Sequence, residues 1–276
     1  MLGRAALANW TRHADGRLET GIGGERYRAN LHSSRQGGDW WAAEVMHRGE
    51  WTRIGSLLES ERACAADIED YARHLAEKSA FGRPSRSFSP GRGTSTPWGR
   101  AQCATSYGPG VTSYETAGHG GFKVSDARNM AMPSALRNAN GWYEEDAEWA
   151  RVALAFPNRF TGREKAHAER SLRDWDPDAW EAHFGRGLVA GESAAKDARI
   201  ALAAHAEDWI VIAAVSSDGR KGMVECWATV GGDRNGEEKR FYVPADEYAT
   251  RTRIGFVIDP DRHEEIGAEN GAGLSI

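Results

Sequence analysis

The apolar residues of this chain change period along its length, and that change limits the fold more than any other feature. Between Gly16 and Ser34, Leu18, Ile22, Tyr27, Ala29 and Leu31 keep a broken alternation, with Gly23-Gly24 as a turn signal. Trp41, Ala43 and Val45 alternate with polar neighbours, and Trp51 and Ile54 continue after the turn His47-Arg48-Gly49. A period of two puts such residues on one face of a half-buried antiparallel sheet. From Glu61 to Lys78 the period lengthens. Ala65, Ile68, Tyr71 (or Ala72) and Leu75 fall three and four apart, which predicts an amphipathic helix.

The stretch Ser79 to Pro97 breaks this pattern. It holds three Pro, three Gly, five Ser and the cations Arg83, Arg86 and Arg92, with no acid. That composition predicts an extended basic linker. Beyond it, Val111–Tyr114 and Gly121–Val124 read as short strands on either side of Thr116-Ala117-Gly118-His119-Gly120. Ser125 is a suitable cap for a following helix, broken at Pro133. Gly141–Phe156 reads as a helix with Trp149, Val152, Ala153 and Phe156 on one stripe and Glu144, Glu145 and Asp146 in its first turn. Gly162–Trp175 and Asp178–Phe184 read as two further helices, separated by Asp176-Pro177.

The last part opens with an alanine-rich helix over Glu192–His205 and continues as strands at Trp209–Val215, Met223–Val230, Arg240–Val243 and Arg253–Ile258. The whole predicts an α+β fold of small antiparallel sheets, each packed with helices, around a helical middle segment. The expected divisions are a sheet-plus-helix domain at 1–78, a basic linker at 79–97 and a central mixed domain at 98–185. A helix-plus-meander domain at 186–265 and a disordered tail at 266–276 complete the chain.

Composition narrows the class. With 276 residues, 27% charged and 40% hydrophobic, the chain can bury a core without metal or disulfide staples. Its net charge of −5 argues against a general nucleic-acid coat. Residues 1–93 carry 14 basic and 12 acidic side chains and the remainder 21 and 28, so any nucleic-acid contact is expected from the front part and the linker. Cys64, Cys103 and Cys226 are odd in number and form no C-x-x-C pair, as expected of reduced thiols in a cytoplasmic, bacterial protein. No apolar run approaches the roughly 18 residues of a membrane helix, and Met1–Trp10 has no signal-peptide core. No membrane partner is expected. The 11 Trp outnumber the 8 Phe and the 7 Tyr; Trp can be a core anchor or a binding hot spot, and the core is the expected place for any one of them.

No nucleotide-binding glycine loop, zinc pair, metalloprotease helix or nucleophile elbow is present. Three words carry the remaining chemistry: T-P-W-G (Thr96–Gly99), G-H-G-G-F (Gly118–Phe122) and G-W-Y-E-E-D (Gly141–Asp146). A histidine between glycines has an accessible ring suited to proton transfer. Nearby acids can orient that ring, bind a metal or act as a base. His119, Glu144 and Glu145 are therefore the catalytic candidates, with one of the three acids expected within reach of the ring or of the glycine turn. Trp98, Trp142, Tyr143, Arg83, Arg86 and Arg92 are the binding candidates. No cofactor or metal can be named from these residues.

The words also carry a resemblance. In order, Thr96-Pro97-Trp98-Gly99-Arg100-Ala101-Gln102, Gly110-Val111, Thr116–Gly121, Gly141–Asp146 and Phe156-Pro157 resemble an uncharacterised domain family met on plasmids and phages of proteobacteria. The resemblance covers residues about 96–160. It implies a mobile-element setting and no particular activity.

Three functions follow. The first is a mobile-element accessory protein that binds a host or defence-system macromolecule, with inhibition as one form of that action. The second is an enzyme with an acid–base or metal site at His119, Glu144 and Glu145. The third is a nucleic-acid-binding module using the arginine segment.

Overall fold

A computed structural model describes residues 9–33, 38–89 and 91–267. Residues 1–8, where a leader would begin, and 268–276, most of the expected tail, lie outside the described residues. The fold is α+β, and the chain divides into two compact units, Met1–Leu172 and Arg173–Ile276.

The first unit opens with a five-stranded antiparallel meander, β1 (Thr11–Arg12), β2 (Leu18–Ile22), β3 (Glu25–Ser33), β4 (Asp39–His47) and β5 (Glu50–Arg53), in sequential order. Gly23 and Gly24, both at positive φ, make the β2–β3 turn. Leu18, Tyr27, Ala29 and Ala43 turn one face of this sheet onto helix α1 (Glu61–Phe81), which buries Cys64, Ile68 and Ala72 against it. Ser60 caps α1 by accepting the Ala63 N–H at 3.2 Å. The helix runs three residues beyond the predicted Lys78 because its stop is Gly82, in the left-handed region at φ 52°.

The expected linker takes part in this unit instead of separating it. Strand β6 (Ser85–Ser87) is the outer strand of a second sheet. A two-stranded hairpin follows, β7 (Ser95–Thr96) and β8 (Gly99–Arg100). The second sheet is completed by β9 (Cys103–Ser106), β10 (Val111–Glu115), β11 (Gly120–Val124) and β12 (Trp142–Glu144), in the antiparallel order β12-β11-β10-β9-β6. Short helix α2 (Asp126–Met130) joins β11 to β12, and α3 (Trp149–Ala155) follows β12.

The helix predicted over Gly141–Phe156 is therefore two elements. The stripe of Trp149, Val152 and Ala153 belongs to α3, but Trp142-Tyr143-Glu144 pairs with Lys123-Phe122-Gly121. Gly141, at φ 68°, lies against Val124 O, where an added Cβ would sit at 2.6 Å, and it turns the chain into the strand.

Helix α4 (Gly162–Trp175) comes next, and the residues that begin it are bonded to a second face of α1. His74 Nδ1 and Thr161 Oγ1 are 2.8 Å apart. The Gly162 N–H donates to Glu77 at 2.7 Å, and Arg163 donates to Asp67 and Asp70 at 2.8 and 2.9 Å.

The second unit holds α5 (Pro177–Phe184), α6 (Ala194–Ala204) and a sheet of β13 (Trp209–Ser216), β14 (Met223–Val230) and β15 (Glu238–Pro244). Helix α7 (Ala245–Ala249) follows, and β16 (Glu264–Glu265) pairs with β15. Val211, Val224, Cys226, Phe241, Val243 and Ile258 form its core. The expected strand at Arg253–Ile258 makes only isolated bridges, because Gly255, at φ 109°, breaks the extended path beside Val211 O. No described helix is long and apolar enough to cross a membrane.

Candidate functional site

The three sequence words meet on one face of the second sheet. Alternation decides which side chains stand there. Phe122, Val124 and Tyr143 are buried on the inner face, with Phe122 against Tyr107 and Phe160. The register pairs Gly121 with Tyr114 on one side and with Glu144 on the other, and Lys123 with Trp142. These residues occupy the outer face.

The T-P-W-G word is the tip of the β7–β8 hairpin. Thr96 pairs with Gly99, and Thr96 Oγ1 both donates to Gly99 O at 2.8 Å and accepts the Trp98 N–H at 3.2 Å. This holds the Trp98 indole over the sheet, edge-on to Trp142 at 5.8 Å between ring centroids. Tyr114 packs on the same Trp142 ring at 5.8 Å. Lys123 Nζ lies 5.2 Å from the Trp142 centroid, within cation–π range, and donates to Asn140 O at 2.8 Å.

The paired glycines make this closeness possible. A Cβ at Gly121 would sit 2.2 Å from Tyr143 O and 2.4 Å from Trp98 Cη2. One at Gly120 would sit 2.5 Å from Glu145 Oε2 and 2.7 Å from Tyr114 O. No other residue type fits at either position without displacement.

His119 immediately precedes this strand. Thr116 pins its backbone: the Thr116 N–H and hydroxyl donate to His119 O at 2.8 and 2.6 Å, and Thr116 Oγ1 accepts the His119 N–H at 3.2 Å. The imidazole is exposed. One ring nitrogen of His119 and one carboxylate oxygen each of Glu144 and Asp146 lie within 4.8 Å of one another. Glu144 Oε2 accepts the N–H of Asp146 at 2.6 Å and of Ala147 at 3.4 Å, closing the turn after β12. Its other oxygen, Oε1, is buried and has no hydrogen-bond partner. A buried carboxylate oxygen without a partner is costly unless a cation or a proton meets it.

The other sequence candidates are placed as follows. Glu145 lies beside this group, its N–H donating to Gly120 O at 3.2 Å; Asp146 supplies the second carboxylate of the cluster. Tyr143 points the opposite way from its neighbours and is fully buried. Its hydroxyl donates to Asn129 Oδ1 at 2.6 Å and accepts the Asn138 N–H at 3.0 Å. Burial pushes its phenol above the ordinary value of 10. Tyr143 is thus a core residue, while Trp142 and Trp98 line the outer face.

Arg83 is turned inward, with its side chain 7% exposed. It donates to both carboxylate oxygens of Glu164 at 3.1 Å and to Arg159 O at 2.6 Å, and lies 3.9 Å from the Tyr107 ring centroid. Arg86 and Arg92 are exposed, with Arg86 over the Phe88 ring. The three arginines therefore do not form one surface. Tyr114 and Lys123 were not singled out in the sequence; the alternation of their strands, Thr112/Tyr114 and Gly121/Lys123, is the signal that places them on this face.

Next to the cluster is a cleft of about 610 Å³, walled by Trp98, Phe88, Gln102 and Thr116–Gly118, the turn that ends at His119. Its size is in the range of small-molecule sites.

Residues 91–206 match the model of a family described as Domain of unknown function (DUF7007). The matched segment contains all three words and most of the cleft wall. No curated protein and no solved structure matches the chain.

Proposed function

We propose that the domain matched at residues 91–206 is a divalent-cation-dependent binding module, with His119, Glu144 and Asp146 as protein ligands and Trp98, Tyr114 and Trp142 as the wall against which the target packs. The observation that carries this reading is the convergence of three ligand atoms within 4.8 Å, drawn from two words 25 residues apart in the chain. Zinc requires ligand atoms at about 2.0–2.2 Å. His119 and Asp146 are both exposed, so small side-chain rotations suffice to close the group around an ion. One imidazole with two carboxylates suits zinc, manganese or ferrous iron. Three protein ligands leave positions open for a target group or a water. The partnerless Glu144 Oε1 supports the same reading, since a cation bound by that oxygen would give it a partner.

The motif resemblance supports a plasmid or phage setting for the module, and hence a host or defence-system macromolecule in the cytoplasm as its target. Calorimetric titration of the full chain with Zn²⁺ and with Mn²⁺ tests the site. Saturable binding of a single ion, weakened at least about tenfold in both His119→Ala and Asp146→Asn, is expected. Absence of saturable binding by either ion refutes the proposal.

A further inference from the structure

A second cavity in the first unit shares no lining residue with the cation cluster. It has a volume of about 560 Å³ and opens between α1, the segment at Gly55–Leu58, α3 and α4. Its lining contains two acids, Asp67 and Glu164, and both are already neutralised, Asp67 by Arg163 at 2.8 Å and Glu164 by Arg83 at 3.1 Å. The cations are not matched in the same way. Lys78 and Arg170 line the cavity, are exposed, and have no ion-pair or hydrogen-bond partner among the described residues. Arg163 engages Asp67 and Asp70 through Nη1 alone, leaving its Nη2 and Nε donors uncommitted.

Two histidines stand in the same wall. His74 is held by Thr161 at 2.8 Å, and His167 packs against Trp149 at 5.4 Å between ring centroids. Burial lowers both imidazoles below their ordinary value of 6.5, which favours the neutral ring at pH 7. Trp149 and Leu58 supply the apolar part of the wall.

We propose that this cavity binds a small phosphate monoester, its phosphate held by Lys78, Arg163 and Arg170 and its organic part against Trp149. A dianionic phosphate presents three terminal oxygens to these donors and two charges to match Lys78 and Arg170, the charge of Arg163 being already met by Asp67; a carboxylate presents two oxygens and one charge. The apolar wall favours an organic phosphate over the bare ion, and the volume fits a ligand of mononucleotide size.

The test is calorimetric titration of the full chain with adenosine monophosphate, adenosine and inorganic phosphate, in chelator so that a cation at His119 does not contribute. Saturable binding of the monophosphate below about 1 mM is expected, with inorganic phosphate weaker and adenosine weaker still. Lys78→Ala with Arg170→Ala should weaken the monophosphate at least about tenfold. Both side chains are exposed, and an unchanged melting temperature confirms that the double variant is folded. No binding of the monophosphate, unchanged binding in the double variant, or inorganic phosphate binding as tightly as the monophosphate would each overturn the proposal.

Discussion

The Trp98 indole occupies the space that a side chain at Gly121 would fill: Cη2 stands 2.4 Å from where a Cβ of residue 121 would be, with Tyr143 O 2.2 Å away from the same point. The T-P-W-G hairpin, the glycine pair and the G-W-Y-E-E-D strand are thereby fitted to one another. Gly121→Ala is expected to force the hairpin off the sheet and to destabilise the first unit by about 1–3 kcal/mol, the range for overpacking. A lower melting temperature together with a red-shifted tryptophan emission would show this. An unshifted melting temperature would mean that Trp98 does not rest there.

Arg83 and Glu164 join the segment after α1 to the start of α4 through two parallel hydrogen bonds. Removing one partner of a largely buried pair leaves the other uncompensated, so Arg83→Ala is expected to cost about 3 kcal/mol. The pair also has a pH signature. Burial raises the Glu164 carboxyl, but hydrogen bonds from Arg83 and from the Thr161 N–H outweigh it and hold the group below its ordinary 4.5. A carboxyl lowered in the folded state contributes stability that is complete above 4.5 and is lost as pH falls through the lowered value. The stability difference between the wild type and Glu164→Gln should accordingly be constant near neutrality and shrink below about pH 4.5. Urea denaturation at a series of pH values measures it, and a pH-independent difference would contradict the assignment.

Tyr143 carries a different expectation from its neighbours. Tyr143→Phe leaves Asn129 Oδ1 and the Asn138 N–H without their buried partner and should cost about 1–3 kcal/mol. Cation binding should be unchanged, because the side chain faces the core. Loss of cation affinity without loss of stability would reverse the two roles.

The strands at 111–115 and 120–124 were legible because alternation and a glycine-rich turn are local signals. Helix α5 was legible for a similar reason. Asp176 accepts the Ala179 N–H, and Gly185 stops the helix at φ 68°. The acids of G-W-Y-E-E-D misled because three carboxylates before an apolar stripe match a helix start, and a three-residue strand is too short to show a period. Their use in a turn depends on Glu144 reaching the N–H groups of Asp146 and Ala147. The inward turn of Arg83 was invisible for another reason, since its carboxylate partner lies 81 positions away. His119 and Glu144 were named from residue type and local context, the glycines around the one and the run of acids at the other. The place of Asp146 beside them depends on that same turn, which composition does not reveal.

Ser85–Ser87 shows the same limit. The segment has no apolar residue to mark it as a strand, yet it pairs with β9, and the Phe88 N–H donates to Gln102 O at 2.8 Å. Hydrogen exchange should find the Phe88 amide protected along with the amides of β9. Exchange of Phe88 at the rate of a free peptide would restore the reading of this stretch as a linker.

The cation site is tested most directly by locating the ion. Crystals of the full chain soaked in Zn²⁺ and measured at the zinc absorption edge should show an anomalous peak bounded by His119, Glu144 and Asp146, and the peak should vanish in His119→Ala. Zinc bound at other residues with none between these three, or a peak that persists without the imidazole, would contradict the assignment.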